Sequence, residues 1–442
     1  METIAKSGAN IAKFILLNVI GIFMFFITVT INGKSSIPVD HIVTFIRSIP
    51  YFELVYGVAI VCIGAVLPFI RKTWNKDKVT MVFSFLKLLA IPSMIVWLTK
   101  MGPARWFDGD MLPFIYNKVV LPVTCLVPVG AVFLSFLINS GLMEFIGVFM
   151  KPVMRPIWKT PGRSAVDAVA SFVGSYSVGL LITNRVYKEG FYSTKEACII
   201  ATGFSTVSAT FMVVVAKTLG LMDHWNVYFW STLIITFIVT ALTTRIYPLS
   251  KKPDTGYQGM NVVPEPMPEK GKLVATALNE GLEACSKAPS IGEGIVKNFK
   301  DGLNMALGIG PSLMSVGFLG LLLAEYTPVF DIIGYIFVPF AMLMGFGSEA
   351  VMMGKACAIS LAEMFLPANI VAGASPMAQY VTAIVCVSEI LFFSASIPCV
   401  MGTDIDISLK DIIIVWAERI ILSLILAALV VRFLFPVLGV AF

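Results

Sequence analysis

The stretch that decides the fold is MGFGSEAVMMGKACAISLAEMFLPANI, residues 344–370. Most of it is apolar enough to lie in lipid, yet it carries Glu349, Lys355 and Glu363, and it breaks at Pro367 just before Asn369. A charge at the centre of a bilayer costs at least ~2.5–3.5 kcal/mol on insertion scales. Two carboxylates in one such run therefore point to a polar interior. Read as a single helix, Glu349 and Glu363 are about four turns apart and share a side with Ala356 and Ser360. In the competing reading, GFGSE is a helix start with Glu349 as a cap residue, and Glu363 pairs with a basic side chain.

The rest of the chain supports a membrane setting. Of 442 residues, 57% are hydrophobic and 13% charged, against roughly 25% charged in a soluble globule. One soluble core does not hide that much apolar surface, so the class is a polytopic membrane protein. The net charge of +5 belongs to loop lysines and arginines at a membrane surface and does not suggest nucleic-acid binding. The seven cysteines form no CxxC pair and read as small buried hydrophobes. With two histidines, His41 and His224, far apart, a histidine metal site is not expected, and no cofactor is implied. Gly354–Lys355 resembles the end of a phosphate-binding loop, but Glu349 stands in place of its first glycine and Ala356 follows the lysine. The run Phe14–Ile31 is longer than a signal-peptide core and lacks a small-x-small cleavage site, so it reads as a retained first span.

Long apolar runs fall near 14–31, 52–70, 79–99, 119–139, 164–183, 196–219, 226–247, 303–324, 349–366, 379–400 and 411–435, with shorter ones at 142–157 and 329–344. Each long run is near the ~20 residues a helix needs to cross. The expected fold is all-α, with about 11–13 spans or re-entrant segments. Between 248 and 301 a Pro- and Lys-rich loop precedes amphipathic segments, in which Ile291, Ile295 and Phe299 lie four apart. The order of features after 103 recurs after 302. Pro128 and Pro311 match at a spacing of 183, and Asn184 and Asn369 at 185. The expected organisation is 1–102, N-terminal helices; 103–247, a first repeat; 248–301, a cytoplasmic loop with amphipathic helices; and 302–442, a second repeat. RKTWNKDK at 71–78 and the Lys-rich loop both suit the cytoplasmic side. An even number of crossings must then separate them. Counting 142–157 as a crossing achieves this and makes the repeats inverted. Pulling Lys151, Arg155, Lys159 and Arg163 to the cytoplasmic face would make them parallel.

The run 164–184 matches the opening stretch. Asp167, Ser171, Gly174, Ser175 and Val178 form a stripe of small polar groups with one carboxylate, although such stripes also serve helix packing. In the next spans, Thr202, Ser205 and Thr206 share a face, as do Thr382, Glu389 and Ser396. Glu418 and Arg419 are adjacent, so they face different helices and read as anchors. Both polar spans are expected to unwind at an Asn, Asn184 and Asn369, which suits a polar solute or ion beside a cavity.

The segment SFVGSYSVGLLITNRVYKEGFYSTKEACIIATGFSTVSATFMVVVAKTLG, 171–220, resembles the nucleoside-recognition or Gate domain, in particular YjiH-like bacterial membrane proteins. The resemblance covers 119–247, with a weaker second copy at 303–435. It implies a transporter-type protein of the bacterial inner membrane. Gate domains also occur in concentrative nucleoside transporters, in the membrane part of the FeoB iron transporter and in spore-maturation proteins. Without a GTPase domain or a paired Cys gate motif, iron is disfavoured.

The function expected is a secondary transporter, not an enzyme, of a small polar solute, nucleoside-like or amino-acid-like. Asp167, Ser171, Ser175, Asn184 and Ser205 line one side of its site. Glu349, Ser360, Glu363, Asn369 and Glu389 line the other, with Glu363 taking a coupling H⁺ or Na⁺. The partners expected are membrane lipid, the solute and, in a homo-oligomer, further copies of the chain. The rival is a non-transporting membrane subunit of a morphogenesis or spore-maturation assembly, whose polar stripes would be packed and dry.

Overall fold

The computed structural model describes residues 7–435 apart from 28, 32, 76–77, 139, 174, 208, 266–271 and 289. Gly174 of the expected stripe thus lies outside the described residues, as do 76–77 of the basic loop. Helix dominates; the described strands are β1 (Val29–Ile31) and β2 (Lys34–Ser36), an antiparallel pair with Thr30 opposite Ser35.

The N-terminal region holds α1 (Gly8–Phe26), α2 (Pro38–Arg47), α3 (Phe52–Ile70), α4 (Lys78–Leu88) and α5 (Ala90–Thr99). A helical lead-in from Ala104, with a wide turn at Ile115–Val120, runs into α6 (Leu121–Ile138). Then come α7 (Leu142–Trp158), α8 (Ser164–Val173), α9 (Tyr176–Lys188), α10 (Thr194–Gly203), α11 (Ala209–Thr218) and α12 (Trp225–Thr243). After the loop lie α13 (Leu273–Lys287) and α14 (Ile291–Ser312), which continues through a wide turn at Leu313–Gly317 into α15 (Phe318–Tyr326). The chain ends with α16 (Val329–Gly334), α17 (Val338–Leu343), α18 (Ala350–Ile359), α19 (Leu366–Val371), α20 (Pro376–Ser388), α21 (Ser396–Met401) and α22 (Leu409–Leu429).

Six helices among the described residues are long and apolar enough to cross a membrane, and the chain is a multi-pass membrane protein. Two of them reach beyond the runs read from sequence. A short helical turn at Ala104–Phe107 precedes the helix that resumes at Leu112 and runs on through 119–133, and 291–301 is the first part of a 36-residue helix, Ile291–Tyr326. The face of this segment that neighbours bury is Gly294, Asn298 and Gly302, whereas Ile291 and Phe299 are exposed. The four runs expected as single polar spans, 164–183, 196–219, 349–366 and 379–400, are each broken into two helices.

The breaks follow local chemistry. At the first, α8 and α9 fold back on one another: Thr183 donates to Asp167 at 2.7 Å, and a Cβ on Gly179 would lie 2.9 Å from that of Ser171. These pairs place the tip of the hairpin at Ser175, and both its ends at one end of the molecule. α18 and α19 form a second hairpin. Its base is closed by Glu349, which accepts Ser375 N–H at 2.8 Å and the Ser375 hydroxyl at 2.5 Å. Its tip spans 360–365, where Glu363 accepts the N–H groups of Phe365 (2.7 Å) and Leu366 (3.1 Å), and Pro367 lies in the first turn of α19. The helices after each hairpin start from strong caps: a Ser193–Glu196 capping box on α10, and Ser375 followed by Pro376 on α20. Each breaks midway, α10 from α11 after Gly203 and α20 from α21 over 389–395.

Helices of the same rank run antiparallel. In α14, Gly302 packs on Pro128 and Ala131 of α6, whereas Gly310 packs on Thr124. Thr240 near the end of α12 meets Arg419 midway along α22, while Tyr228 near its start packs edge-on against Tyr380, which packs edge-on against Phe435 beyond the end of α22. The first hairpin opens toward the loop: Thr194 N–H donates to Thr255 O at 2.8 Å, and Val263 N–H to Gly190 O at 2.9 Å. At that end α7 lies under the loop. Lys151 donates to Glu265 O, Arg155 pairs with Glu196 and Glu265, and Arg163 pairs with Glu144 and stacks on Phe191.

Candidate functional site

The two tips and the two breaks come together in the interior. Ser171, just before the first tip, donates to Thr206 O in the α10–α11 break at 2.8 Å. In the second half, the unwound segment pairs with the tip like a short strand: Phe393 N–H donates to Leu361 O at 2.7 Å and Ser394 N–H to Ala362 O at 2.9 Å. Each tip also touches the other half. Tyr176 packs edge-on against Phe392 with ring centroids 5.9 Å apart, and Phe365 packs on Phe211 of α11 at 6.3 Å. Ile390 holds φ = 63° inside the second break. A β-branched residue in the left-handed region is strained by ~1–3 kcal/mol, and the surrounding contacts hold it there.

This interior is polar yet buried. Ser205 Oγ, Ser394 Oγ and Glu389 Oε1 find no hydrogen-bond partner among the described residues. Native interiors leave few such atoms, and each calls for an occupant or a function. Glu389 caps the end of α20 and accepts Trp416 Nε1–H at 3.3 Å; its carboxylate lies within electrostatic reach of Glu363 and Arg419. Glu363 is buried, and the partners found for it are backbone N–H groups of its own tip.

The residues singled out from sequence divide into three groups. Ser175, Ser205, Ser360, Glu363 and Glu389 lie at the tips or breaks. Ser360 donates to Cys357 O at 2.7 Å beside Glu389, and Ser175 shares a hydrogen bond with Ser177 at 2.8 Å. Asp167 is an internal strut of the first hairpin, and Ser171 ties that hairpin to the α10–α11 break. Asp167 accepts Thr183 and Tyr192 hydroxyls at 2.7 and 2.6 Å and is fully buried. Glu349, Asn184 and Asn369 lie elsewhere. Glu349 is the cap at the hairpin base, 14 residues from a tip that the helix never reaches, because α18 ends at Ile359. The shared face read from a continuous helix is therefore absent. Neither Asn marks an unwound end: Asn184 lies within α9, and Asn369 is exposed within α19.

Asn184 instead borders a polar cavity of about 310 Å³ at the loop end, between α9, α14, the end of α3 and the segment after α21. There Asn184 Oδ1 accepts Asp404 N–H at 2.8 Å, Arg185 pairs with Asp301 at 2.8 Å and Lys188 with Asp404 at 3.2 Å. Burial pushes the Glu189 carboxyl at the hairpin base above its usual range, against the pull of Arg185.

Tyr176, Phe392, Ser394 and the role of Arg419 were not legible as site features. Their positions depend on which helices break, and a lone Tyr or Phe in an apolar run carries no such signal.

The Gate model, described as nucleoside recognition, matches residues 120–222, which span the first hairpin and the α10–α11 break. An uncharacterized protein of Alkalihalophilus pseudofirmus is 33% identical over 432 residues, covering 94% of this chain and 93% of its own length. Among solved structures, a double variant of CNTnw in an outward-facing state superposes with a TM-score of 0.50 at 14% identity, over 95% of this chain and 98% of that one. At that identity the likeness concerns the fold. The chain is thus a Gate-domain membrane protein, of one family with its Alkalihalophilus pseudofirmus relative.

Proposed function

We propose that the protein is a secondary transporter of a small polar solute, nucleoside-like or amino-acid-like, in the bacterial inner membrane, with its two halves related by inversion. The observation that carries this is the meeting of two hairpin tips with two broken helices around buried polar atoms that lack partners among the described residues. Discontinuous helices at matching positions in two halves are the usual pointer to a transport site, and irregular backbone at membrane depth is tolerated beside a solute or water. The antiparallel run of α6 against α14, and of α12 against α22, supports inversion. Nucleosides come first among solutes, because the matching Gate model is described by nucleoside recognition.

In this mechanism the solute lies between the tips, against Ser175, Tyr176, Ser205, Ser360 and Ser394. Hydroxyls suit it because each donates and accepts. Glu363 is the coupling group. It sits at the moving end of a hairpin and has no cation partner among the described residues, so uptake of H⁺ or Na⁺ is the simplest way to neutralise it as the site closes. Proteoliposomes with an imposed pH or sodium gradient test this against a panel of nucleosides and amino acids. Glu363→Gln is expected to abolish gradient-driven accumulation while exchange of preloaded solute persists. Accumulation at the wild-type level would remove Glu363 from coupling, and a panel with no transported solute would remove the transport proposal.

A further inference from the structure

Arg419 is fully buried, midway along α22, and makes no ion pair among the described residues. Its contacts are carbonyl ends. Nε–H donates to Ser388 O, the last carbonyl of α20, at 2.8 Å. Nη1–H donates to Thr240 Oγ1 at 3.0 Å, and that hydroxyl lies 2.8 Å from Gly203 O, the last carbonyl of α10. One broken helix from each half therefore ends near the same guanidinium, α20 in direct contact and α10 through the Thr240 hydroxyl. A helix C-terminus carries about half an elementary negative charge on its unsatisfied carbonyls. Glu389, one residue past the end of α20, adds a carboxylate, which α22 holds through Trp416 at 3.3 Å. Glu389 Oε1 and Arg419 Nη2 are both buried, and neither finds a hydrogen-bond partner among the described residues.

Such a meeting of half-helix C-termini and a carboxylate is a cation site by its chemistry. We propose that Arg419 is its resident counter-ion: the guanidinium stands where two half-helix C-termini and Glu389 would otherwise hold a mobile monovalent cation. Arg419 is then a positioning residue. It keeps the two breaks in register and leaves no need for a metal ion at this crossing. The consequence for coupling, that Glu363 carries it without an ion beside Glu389, rests on the transport proposal; the occupancy of the site does not.

The test is thermal unfolding of the full chain in detergent, in sodium chloride and in choline chloride at equal ionic strength, with Glu363→Gln in every chain so that a coupling ion at that position adds no response. The parent chain, with Arg419 and Glu389 intact, is expected to unfold at the same temperature in both. Arg419→Ala should unfold several degrees lower in choline and recover with a saturable dependence on sodium, while Arg419→Lys, which keeps the charge, should show no sodium response. Glu389→Gln with Arg419→Met removes both charges and should restore stability without a sodium response. A parent chain that responds to sodium as Arg419→Ala does, an Arg419→Ala indifferent to the choice of cation, or a double variant no more stable than the single one would each overturn the proposal. If Arg419→Ala yields no folded protein, the double variant decides: a folded one supports the counter-ion role, and one that also fails to fold refutes it.

Discussion

The first hairpin should depend on one carboxyl group. Asp167 is 1% exposed and takes hydroxyl hydrogen bonds from Thr183 across the hairpin and from Tyr192 beyond it. Tyr192→Phe removes one of these without opening a cavity, because the ring is kept. The lost bond and the orphaned carboxyl oxygen together cost about 1.5–3 kcal/mol. Asp167→Asn keeps the shape and one acceptor, and its amide can face a hydroxyl that turns to accept, so the expected cost is smaller, about 1 kcal/mol. Once Asp167 is Asn, deleting the tyrosine hydroxyl should cost less, giving a coupling of about 1–2 kcal/mol in the double-mutant cycle. The assay is unfolding in detergent, read as unfolding rates if it is irreversible, with hydrogen exchange over 164–188 as a local reporter. Tyr192→Phe within ~0.5 kcal/mol of wild type, with no coupling to Asp167→Asn, would show that the hairpin is held by its apolar packing alone.

Three further outcomes are expected. Gly179→Ala forces the hairpin helices apart at Ser171, where the new Cβ would lie 2.9 Å from Cβ, and should destabilise by ~1–3 kcal/mol in the same unfolding assay. Glu349→Gln weakens the clasp on Ser375 at the base of the second hairpin; it should raise proteolytic nicking of 344–375 and depress transport less than Glu363→Gln does. Cysteines placed at Lys72 or Lys272 should react with an impermeant thiol reagent from the cytoplasmic side, and one at the exposed Tyr51 from the outside; reversal of any one of the three would overturn the proposed orientation.

The sequence alone determined the class of this protein and the location of its polar content. Hydropathy and charge are sums over residues, and they need no knowledge of neighbours. The six long apolar segments, the polarity of 164–184 and 349–370, and the buried Ser205, Ser360, Glu363 and Glu389 were legible for that reason. Tertiary structure decided which polar runs cross. A hairpin and a span of the same length have the same composition, and only the pairing of Asp167 with Thr183, or of Glu349 with Ser375, separates them. The count of crossings between the basic loop at 71–78 and the loop after 248 illustrates this. Sequence counting took 164–183 as a crossing and so required 142–157 to cross as well. In the structure the first folds back as α8 and α9, and the second is α7, whose Lys151 and Arg155 bind Glu265 of the loop. With neither counted as a crossing, parity is unchanged although both assignments differ. Periodicity likewise placed Glu349 and Glu363 on one face, which holds only while a helix is continuous. The break at 360–365 forms because Glu363 satisfies the N–H groups that open α19 and because Leu361 and Ala362 give their carbonyls to the other broken helix. Those partners lie some thirty residues away along the chain, and only their assembly settles where the helix stops.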